Sequence, residues 1–433
     1  MANHGEQLSA ACPLINEIKV GEAVISKSRF STRSVDQPYP RSGHCCATDG
    51  INFYIYGGYH PEYHIPKDPE DSDDEDEVVV NEIFQEMWSF NIATETWQKV
   101  ETVGRQPTET ASMSMLLCGQ NMLLFGGTGY PWGKNPNADV FIFNLSEKSW
   151  SIMECTGDER PPGKYGQAMV LHDNKLYFHG GCRMIDNPLT NRRCALFDST
   201  VYCLDAGSKT WSQLATSSDT ESDTKKGMYR HGLAWHDGNL YLIGSSDNKE
   251  APMKDKKYLD ELQVFQPHKD KENRWTVEKT KPCPKGAYPA PRKHHSCVQW
   301  KNEVYICGGH NDEVIFDDVW RLELPSLQWF KLPTALPVPT CFHTAAITPE
   351  TSKIKCMYIF GGLISDITDP DYRQRKRTNN VFRIWLDIPP LADISLRKIV
   401  SCLPDVTDET IATLSKLGVQ SGQLDKLRHD KCR

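Results

Sequence analysis

Six times along the chain, an alternating or unbroken apolar run ends in glycine. The runs are Phe53-Tyr54-Ile55-Tyr56-Gly57-Gly58, Met122-Leu123-Leu124-Phe125-Gly126-Gly127 and Leu176-Tyr177-Phe178-His179-Gly180-Gly181. They continue with Leu240-Tyr241-Leu242-Ile243-Gly244-Ser245, Val304-Tyr305-Ile306-Cys307-Gly308-Gly309 and Met357-Tyr358-Ile359-Phe360-Gly361-Gly362. Short apolar runs bounded by turn residues predict buried strands. A glycine pair at the end marks a sharp turn, or a place where backbone packs too closely for a Cβ.

Other strands surround each run in a fixed order. A first strand precedes it. A third follows, as in Asp139–Phe143, Ser199–Leu204, Leu259–Phe265 and Asp318–Leu322. A fourth carries tryptophan: Trp97, Trp150, Trp211, Trp275 and Trp329. The first glycines fall at 57, 126, 180, 244, 308 and 361. The shorter intervals match a repeat of roughly 50 residues. The longer ones are read as loops inserted after the glycine pair. The sixth unit has Cys341–Ile347, its glycine pair and Asn380–Leu386, then meets Asp387-Ile388-Pro389-Pro390 with no fourth strand. A strand around Ile18–Ile25 is expected to supply it, which would remove an open edge. The organisation read is therefore 1–40 as a closing segment, 41–388 as a six-unit ring and 389–433 as a helical tail. In the tail, residues 391, 394, 396, 399, 400 and 403 are apolar at helical spacing, and Pro404 stops the run. A second helix is expected from a cap at Asp405 or Thr407 to Gly418.

Composition narrows the function. The chain has 433 residues and a net charge of −8, which gives no support for nucleic-acid binding. No segment approaches the roughly 18 apolar residues of a membrane span. The N-terminus lacks the regions of a signal peptide, so a cytoplasmic location is expected. The basic run Arg373–Arg377 adds a candidate nuclear-import patch, with a solvated loop as the plainer reading. The acidic run Asp68–Glu77 reads as a solvated loop. The fifteen cysteines include no C-x-x-C pair, and are expected to be free thiols in a reducing compartment. There is no nucleophile elbow, phosphate loop or His-Glu-x-x-His. His294 and His295 are adjacent on a strand and face opposite ways, so they do not form a metal pair. Neither catalysis nor a cofactor is expected.

The segments that open each unit carry the candidate chemistry. They include Arg41, Lys164-Tyr165, Tyr229-Arg230, Arg292-Lys293 and Phe342. A basic funnel with aromatic walls suits a carboxylate, because guanidinium binds one bidentately. The competing reading is that these cations only brace neighbouring loops.

The glycine pairs with their spaced tryptophans resemble the kelch family of β-propellers. The implied fold is all-β: a six-bladed kelch propeller with a short α-helical C-terminal segment. Longer runs narrow the resemblance to Slim-type kelch propellers: Pro107–Ser114, Leu124–Gly129, Tyr165–Met169, Arg292–Val298, Glu313–Ile315, Asp318–Trp320, Phe342-His343 and Phe382–Leu386. That resemblance implies a non-enzymatic substrate receptor of cullin-2 ubiquitin ligases. The ring would read the C-terminal tails of client proteins through Arg41, Tyr165, Tyr229, Arg230, Arg292, Lys293 and Phe342. Leu391, Ser395 and Ile399 fit the pattern of an elongin B/C box, and Leu403-Pro404 that of a cullin box, with Ser395 where many boxes carry Cys. The alternative class is a scaffold binding a folded signalling or cytoskeletal partner.

Overall fold

Each glycine-ended run is the second strand of an antiparallel sheet, and six such sheets are the blades of a propeller. The structure, a computed structural model, describes residues 15–18, 37–64, 78–133, 135–187, 192–215, 227–244, 259–270, 274–352, 354–364, 375–387, 391–401, 406–417, 419 and 421–427. Blade 1 is Cys45–Thr48, Asn52–Tyr56, Met87–Asn91 and Thr96–Val100. Blade 2 is Ala111–Cys118, Asn121–Thr128, Val140–Asn144 and Ser149–Ile152, with Val103–Gly104 added in parallel at its outer edge. Blade 3 is Ala168–His172, Lys175–His179, Val201–Asp205 and Thr210–Ala215. Blade 4 is Gly232–His236, Asn239–Ile243, Glu261–Phe265 and Trp275–Lys279. Blade 5 is Ser296–Trp300, Glu303–Cys307, Asp318–Glu323 and Gln328–Ala335.

Blade 6 draws on both ends of the chain. Thr344–Ile347, Cys356–Phe360 and Val381–Trp385 are completed by Ile15–Ile18. The last pairing is antiparallel, with Ile15 opposite Ile384 and Ile18 opposite Val381. Residues 19–25 lie outside the described residues. The first strands of the blades contact one another in order around the axis, blade 6 against blade 1 included.

The tryptophans pack each blade on the one before it. Trp97 lies 5.2 Å from Phe360 of blade 6, Trp150 lies 4.7 Å from Tyr56 of blade 1, and Trp211 lies 5.9 Å from Phe125 of blade 2. Trp275 lies 5.8 Å from His179 of blade 3. Trp329 is fully buried and donates from Nε1 to the Leu259 carbonyl at 2.8 Å. Truncating an aromatic side chain at such a place typically costs about 3–5 kcal/mol.

Of the glycine pair, the first residue faces this same seam and the second packs on the opening of its own blade. A Cβ on Gly308 would lie 2.3 Å from the Thr340 carbonyl oxygen and 2.7 Å from the His343 ring, both of blade 6. A Cβ on Gly309 would lie 2.7 Å from both the Lys293 carbonyl and the His295 Cβ. Both residues have positive φ, +60° and +85°. Glycine alone satisfies conformation and clearance together. Ser245, which stands where the other five runs have a second glycine, lies outside the described residues.

Two ribbons follow glycine pairs: Tyr59–His64 with Val78–Ile83, and Cys182–Asn187 with Arg192–Phe197. The acidic run 68–77 between the first two strands lies outside the described residues, as do 373–374 of the basic run. The tail forms helices Leu391–Ser401, Asp408–Lys416 and Ser421–Leu424, followed by a 3-10 turn, Asp425–Leu427. Thr407 caps the second helix, its hydroxyl accepting from the Thr410 N–H at 3.2 Å. Leu396, Ile411, Leu414, Leu424 and Leu427 bury a small core that includes Ala93 of blade 1. Asn91 donates to the Lys426 carbonyl at 3.1 Å, fixing the tail to the ring. Among the described residues, no helix is long and apolar enough to cross a membrane.

The closing strand leads to a test. Deleting residues 1–30 removes the partner of Val381–Ile384 and is expected to lower the melting temperature measured by differential scanning fluorimetry. An unchanged midpoint would show that the ring does not need this strand.

Candidate functional site

One residue per blade adopts a left-handed backbone at or just before the start of the first strand. The six are Gly43, Ser112, Gly166, Arg230, His294 and Phe342, with φ of 69°, 65°, 69°, 52°, 55° and 56°. For the four that are not glycine this conformation is costly, and it persists only where the surroundings impose it. Here a girdle of backbone hydrogen bonds imposes it. Ser112 N–H donates to Gly43 at 2.6 Å, Gly166 to Ser112 at 2.8 Å and Arg230 to Gly166 at 2.7 Å. Phe342 donates to His294 at 3.0 Å and Gly43 to Phe342 at 3.3 Å. Five backbone hydrogen bonds thus connect these six equivalent residues around the axis, in the runs Gly43–Ser112–Gly166–Arg230 and His294–Phe342–Gly43.

Arg230 uses this position to reach across the ring. Its Nη2 donates to the Ser112 hydroxyl of blade 2. Its Cζ lies 5.3 Å from the Phe342 ring of blade 6 and 6.0 Å from the Tyr229 ring. The same Nη2 lies 3.1 Å from where a Gly43 Cβ would be, so that glycine leaves room for it. Arg230 Nε is buried without an acceptor, and among the described residues no carboxylate pairs with this guanidinium. Behind it an axial channel of about 1040 Å³ runs from Ser112 and Arg230 to Asp237, Lys301 and Glu350 at the far strand turns.

Aromatic side chains surround the mouth. Tyr165 stands edge-on to Tyr229 at 5.7 Å. Tyr59 and Trp132, from the loops after the first two glycine pairs, lie 4.5 Å apart, and Tyr130 is 5.6 Å from Trp132. Tyr59 also flanks Gly43. Arg377 packs over Tyr59 at 4.9 Å and donates to the Ser42 hydroxyl at 3.0 Å. The mouth of an acidic protein is therefore basic and aromatic.

The structure separates the cations that the sequence groups together. Arg41 is fully buried, paired with Glu86 at 2.6 Å, and donates to the Gly57 carbonyl at 3.2 Å. Arg292 repeats this in blade 5, with Asp318 at 2.6 Å and the Gly308 carbonyl at 3.1 Å. Lys164 holds Asp198 at 2.9 Å in blade 3. These three brace the loop after a glycine pair. Burial alone would raise the Glu86 carboxyl, but Arg41 outweighs it and holds the acid down at about 2. Lys293 is paired with Asp312 at 3.0 Å. Arg230, Tyr165, Tyr229 and Phe342 remain at the mouth. Ser112, Tyr59, Trp132 and Arg377 join them, none of which is among the site residues expected from the sequence. Two follow glycine pairs or lie in the loop beyond, and Ser112 shares the register of Arg230; that register was the available signal.

At the tail, the helix Leu391–Ser401 divides its apolar residues between two faces. Leu396 is buried in the small core, while Leu391 is 76% exposed and Ile394, Ser395 and Ile399 are exposed as well. Leu391, Ser395 and Ile399 stand four apart and so share one helix face. Leu403 and Pro404 lie outside the described residues.

Among the described residues, no group of three or more His, Cys, Asp or Glu is arranged to hold a metal ion. The histidines near the axis are buried instead. Burial holds His179 and His295 down at about 3, and His310 and His343 at about 4. His44, His231 and His294 are also lowered by burial, with neighbouring cations or histidines adding to the effect.

Comparison with known proteins agrees with this architecture. The KLHDC2/KLHL20/DRC7 Kelch-repeats domain matches residues 25–245 and 247–387. Kelch domain-containing protein 10 of Homo sapiens is 36% identical over 392 residues, 90% of this chain and 80% of that protein. Its counterpart in Xenopus tropicalis is 35% identical over 402 residues, 93% of this chain and 89% of that protein. Kelch domain-containing protein 2 of Bos taurus is 23% identical over 392 residues, 84% of this chain and 85% of that protein.

The buried histidines lead to a pH prediction. Their folded pKa values lie below the unfolded value of about 6.5. Below that pH the unfolded chain binds protons that the folded chain excludes, so stability falls as pH falls. Each histidine contributes up to about 1.4 kcal/mol per pH unit until its folded pKa is reached. The melting temperature is expected to drop steadily between pH 6.5 and pH 4. A flat profile over that interval would mean that the histidines are protonated in the folded ring.

Proposed function

The chain belongs to the kelch-repeat propeller family that includes Kelch domain-containing protein 10, and on that premise we propose that it is a substrate receptor of a cullin-2–elongin B/C ubiquitin ligase. The ring would capture client proteins by their free C-terminal carboxylate. The tail would carry the captured client to the ligase. The observation that carries this reading is Arg230, a guanidinium held at the mouth by the girdle with no carboxylate against it among the described residues. A terminal carboxylate supplies the missing charge and acceptors in one group. The aromatic side chains of Tyr59, Trp132, Tyr165, Tyr229 and Phe342 offer apolar walls for the residues just before the terminus.

The tail supports the second half of the reading. The exposed face of Leu391, Ser395 and Ile399 offers apolar side chains that the small tail core does not use. A helix face of this kind docks in a partner's groove through residues four apart, and a small residue in the middle permits close approach. Recruitment needs no catalytic residue on this chain.

Two measurements test the proposal. Arg230→Ala is expected to weaken binding of a free-carboxylate peptide by about 1.5–3 kcal/mol, the size of a hydrogen bond to a charged group. Equal affinity of the wild-type ring for the amidated peptide would refute a carboxylate pocket and favour a scaffold for a folded partner. Separately, Leu391→Glu is expected to abolish co-purification of elongin B/C while leaving the melting temperature unchanged. Undiminished co-purification would remove the helix from the interface.

A further inference from the structure

Next to Arg230 in the girdle stands His294, whose side chain belongs to a directed hydrogen-bond relay. The Asp312 backbone N–H lies 3.1 Å from His310 Nδ1. A backbone N–H only donates, so His310 Nδ1 is the acceptor and carries no proton. His310 is held neutral by burial, its pKa down at about 4. Its proton therefore sits on Nε2, which lies 2.6 Å from His294 Nδ1. His294 Nδ1 must then accept, and the proton of a neutral His294 sits on Nε2. That Nε2–H is buried and has no acceptor.

The His294 ring stacks on Phe342 with centroids 3.8 Å apart and meets Tyr229 edge-on at 5.6 Å. Arg230, Lys293, His295 and His310 are the ionisable groups whose charge acts on it. The Asp312 carboxylate lies 3.5 Å from His310 Nδ1 and is engaged by Lys293 at 3.0 Å. Two buried donors thus occur at consecutive girdle positions, His294 Nε2–H and Arg230 Nε–H, each without an acceptor. Leaving such a group unsatisfied is costly, and native structures rarely do so without a reason.

We infer that His294 is a second carboxylate-binding residue of the mouth, a neutral donor whose tautomer is fixed by the Asp312–His310 relay. The inference rests on the carboxylate reading of Arg230. One oxygen of the ligand's carboxylate takes the Arg230 guanidinium and the other takes His294 Nε2–H. Both nitrogens are buried, so the entering acid parts the half-exposed Arg230 and Phe342 side chains to reach them. The pairing of one fixed charge with one neutral donor suits a single carboxylate and discriminates against an amide, whose NH2 would face a donor.

The test uses a fluorescein-labelled peptide ending in glycine with a free carboxylate, its amide counterpart and the full chain. His294→Phe keeps the stack on Phe342 and removes the donor. It is expected to weaken binding of the free acid about tenfold to a hundredfold. His294→Gln restores an N–H donor and is expected to recover part of the loss. Should the wild type bind neither peptide, or both equally, the carboxylate reading fails and takes this inference with it. Should it prefer the acid while His294→Phe binds as well as the wild type, the inference fails and the reading of Arg230 stands. Nitrogen-15 NMR of the histidine rings gives an answer that no variant is needed for. The Nε2–H tautomer is expected at His294, with its proton moving downfield on addition of the acid; the Nδ1–H tautomer would overturn the relay.

Discussion

The girdle of backbone hydrogen bonds around the axis is the constraint on which the other features rest. It runs through residues held left-handed, from Gly43 to Ser112, Gly166 and Arg230, and from His294 to Phe342 and back to Gly43. Each link joins the opening of one blade to that of a neighbour. Such a link forms only if neighbouring blades approach closely, and the first glycine of the pair permits that approach: a Cβ on Gly308 would clash with the Thr340 carbonyl at the opening of blade 6. The tryptophans fill the outer part of the same seams. Apolar burial drives the blades together, and the girdle fixes how their first strands meet.

Function grows out of that geometry through charge pairing. The protein carries more acid than base, yet its mouth concentrates Arg230 and Arg377. Arg41, Lys164 and Arg292 lie close by in the chain's repeating register but each is already neutralised by a buried or half-buried carboxylate. A buried cation with a carboxylate partner braces structure, and breaking such a pair leaves a costly uncompensated charge. A cation without one is available to a ligand. The same logic separates the two faces of the first tail helix, since Leu396 is committed to the tail core and Leu391 is not.

Much of the fold was legible because it repeats. Alternation, glycine pairs and spaced tryptophans give the six blades and their order, and the missing fourth strand of blade 6 is visible as Pro389-Pro390. The site was less legible for a definite reason. Arg41 and Arg292 stand two residues before the girdle residues Gly43 and His294, whereas Arg230 is itself a girdle residue. A shift of two residues along similar segments turns a mouth-facing guanidinium into a strut, and only the hydrogen-bond pattern reveals it. Tyr59 and Trp132 come from loops of different blades, so no local pattern announces their contact. The apolar stripe of the tail was readable as helix but not as two faces, because partition depends on the later helices that bury Leu396.

The central claim is that the axial mouth receives a free carboxylate. Hydrogen exchange measured residue by residue, with and without a peptide carrying a free C-terminus, addresses it most directly. Added protection is expected at Ser112, Gly166, Arg230 and Phe342, with none from the amidated peptide. Protection confined to the blade 1 and blade 3 ribbons or to the outer strands, or the same protection from both peptides, would contradict the account.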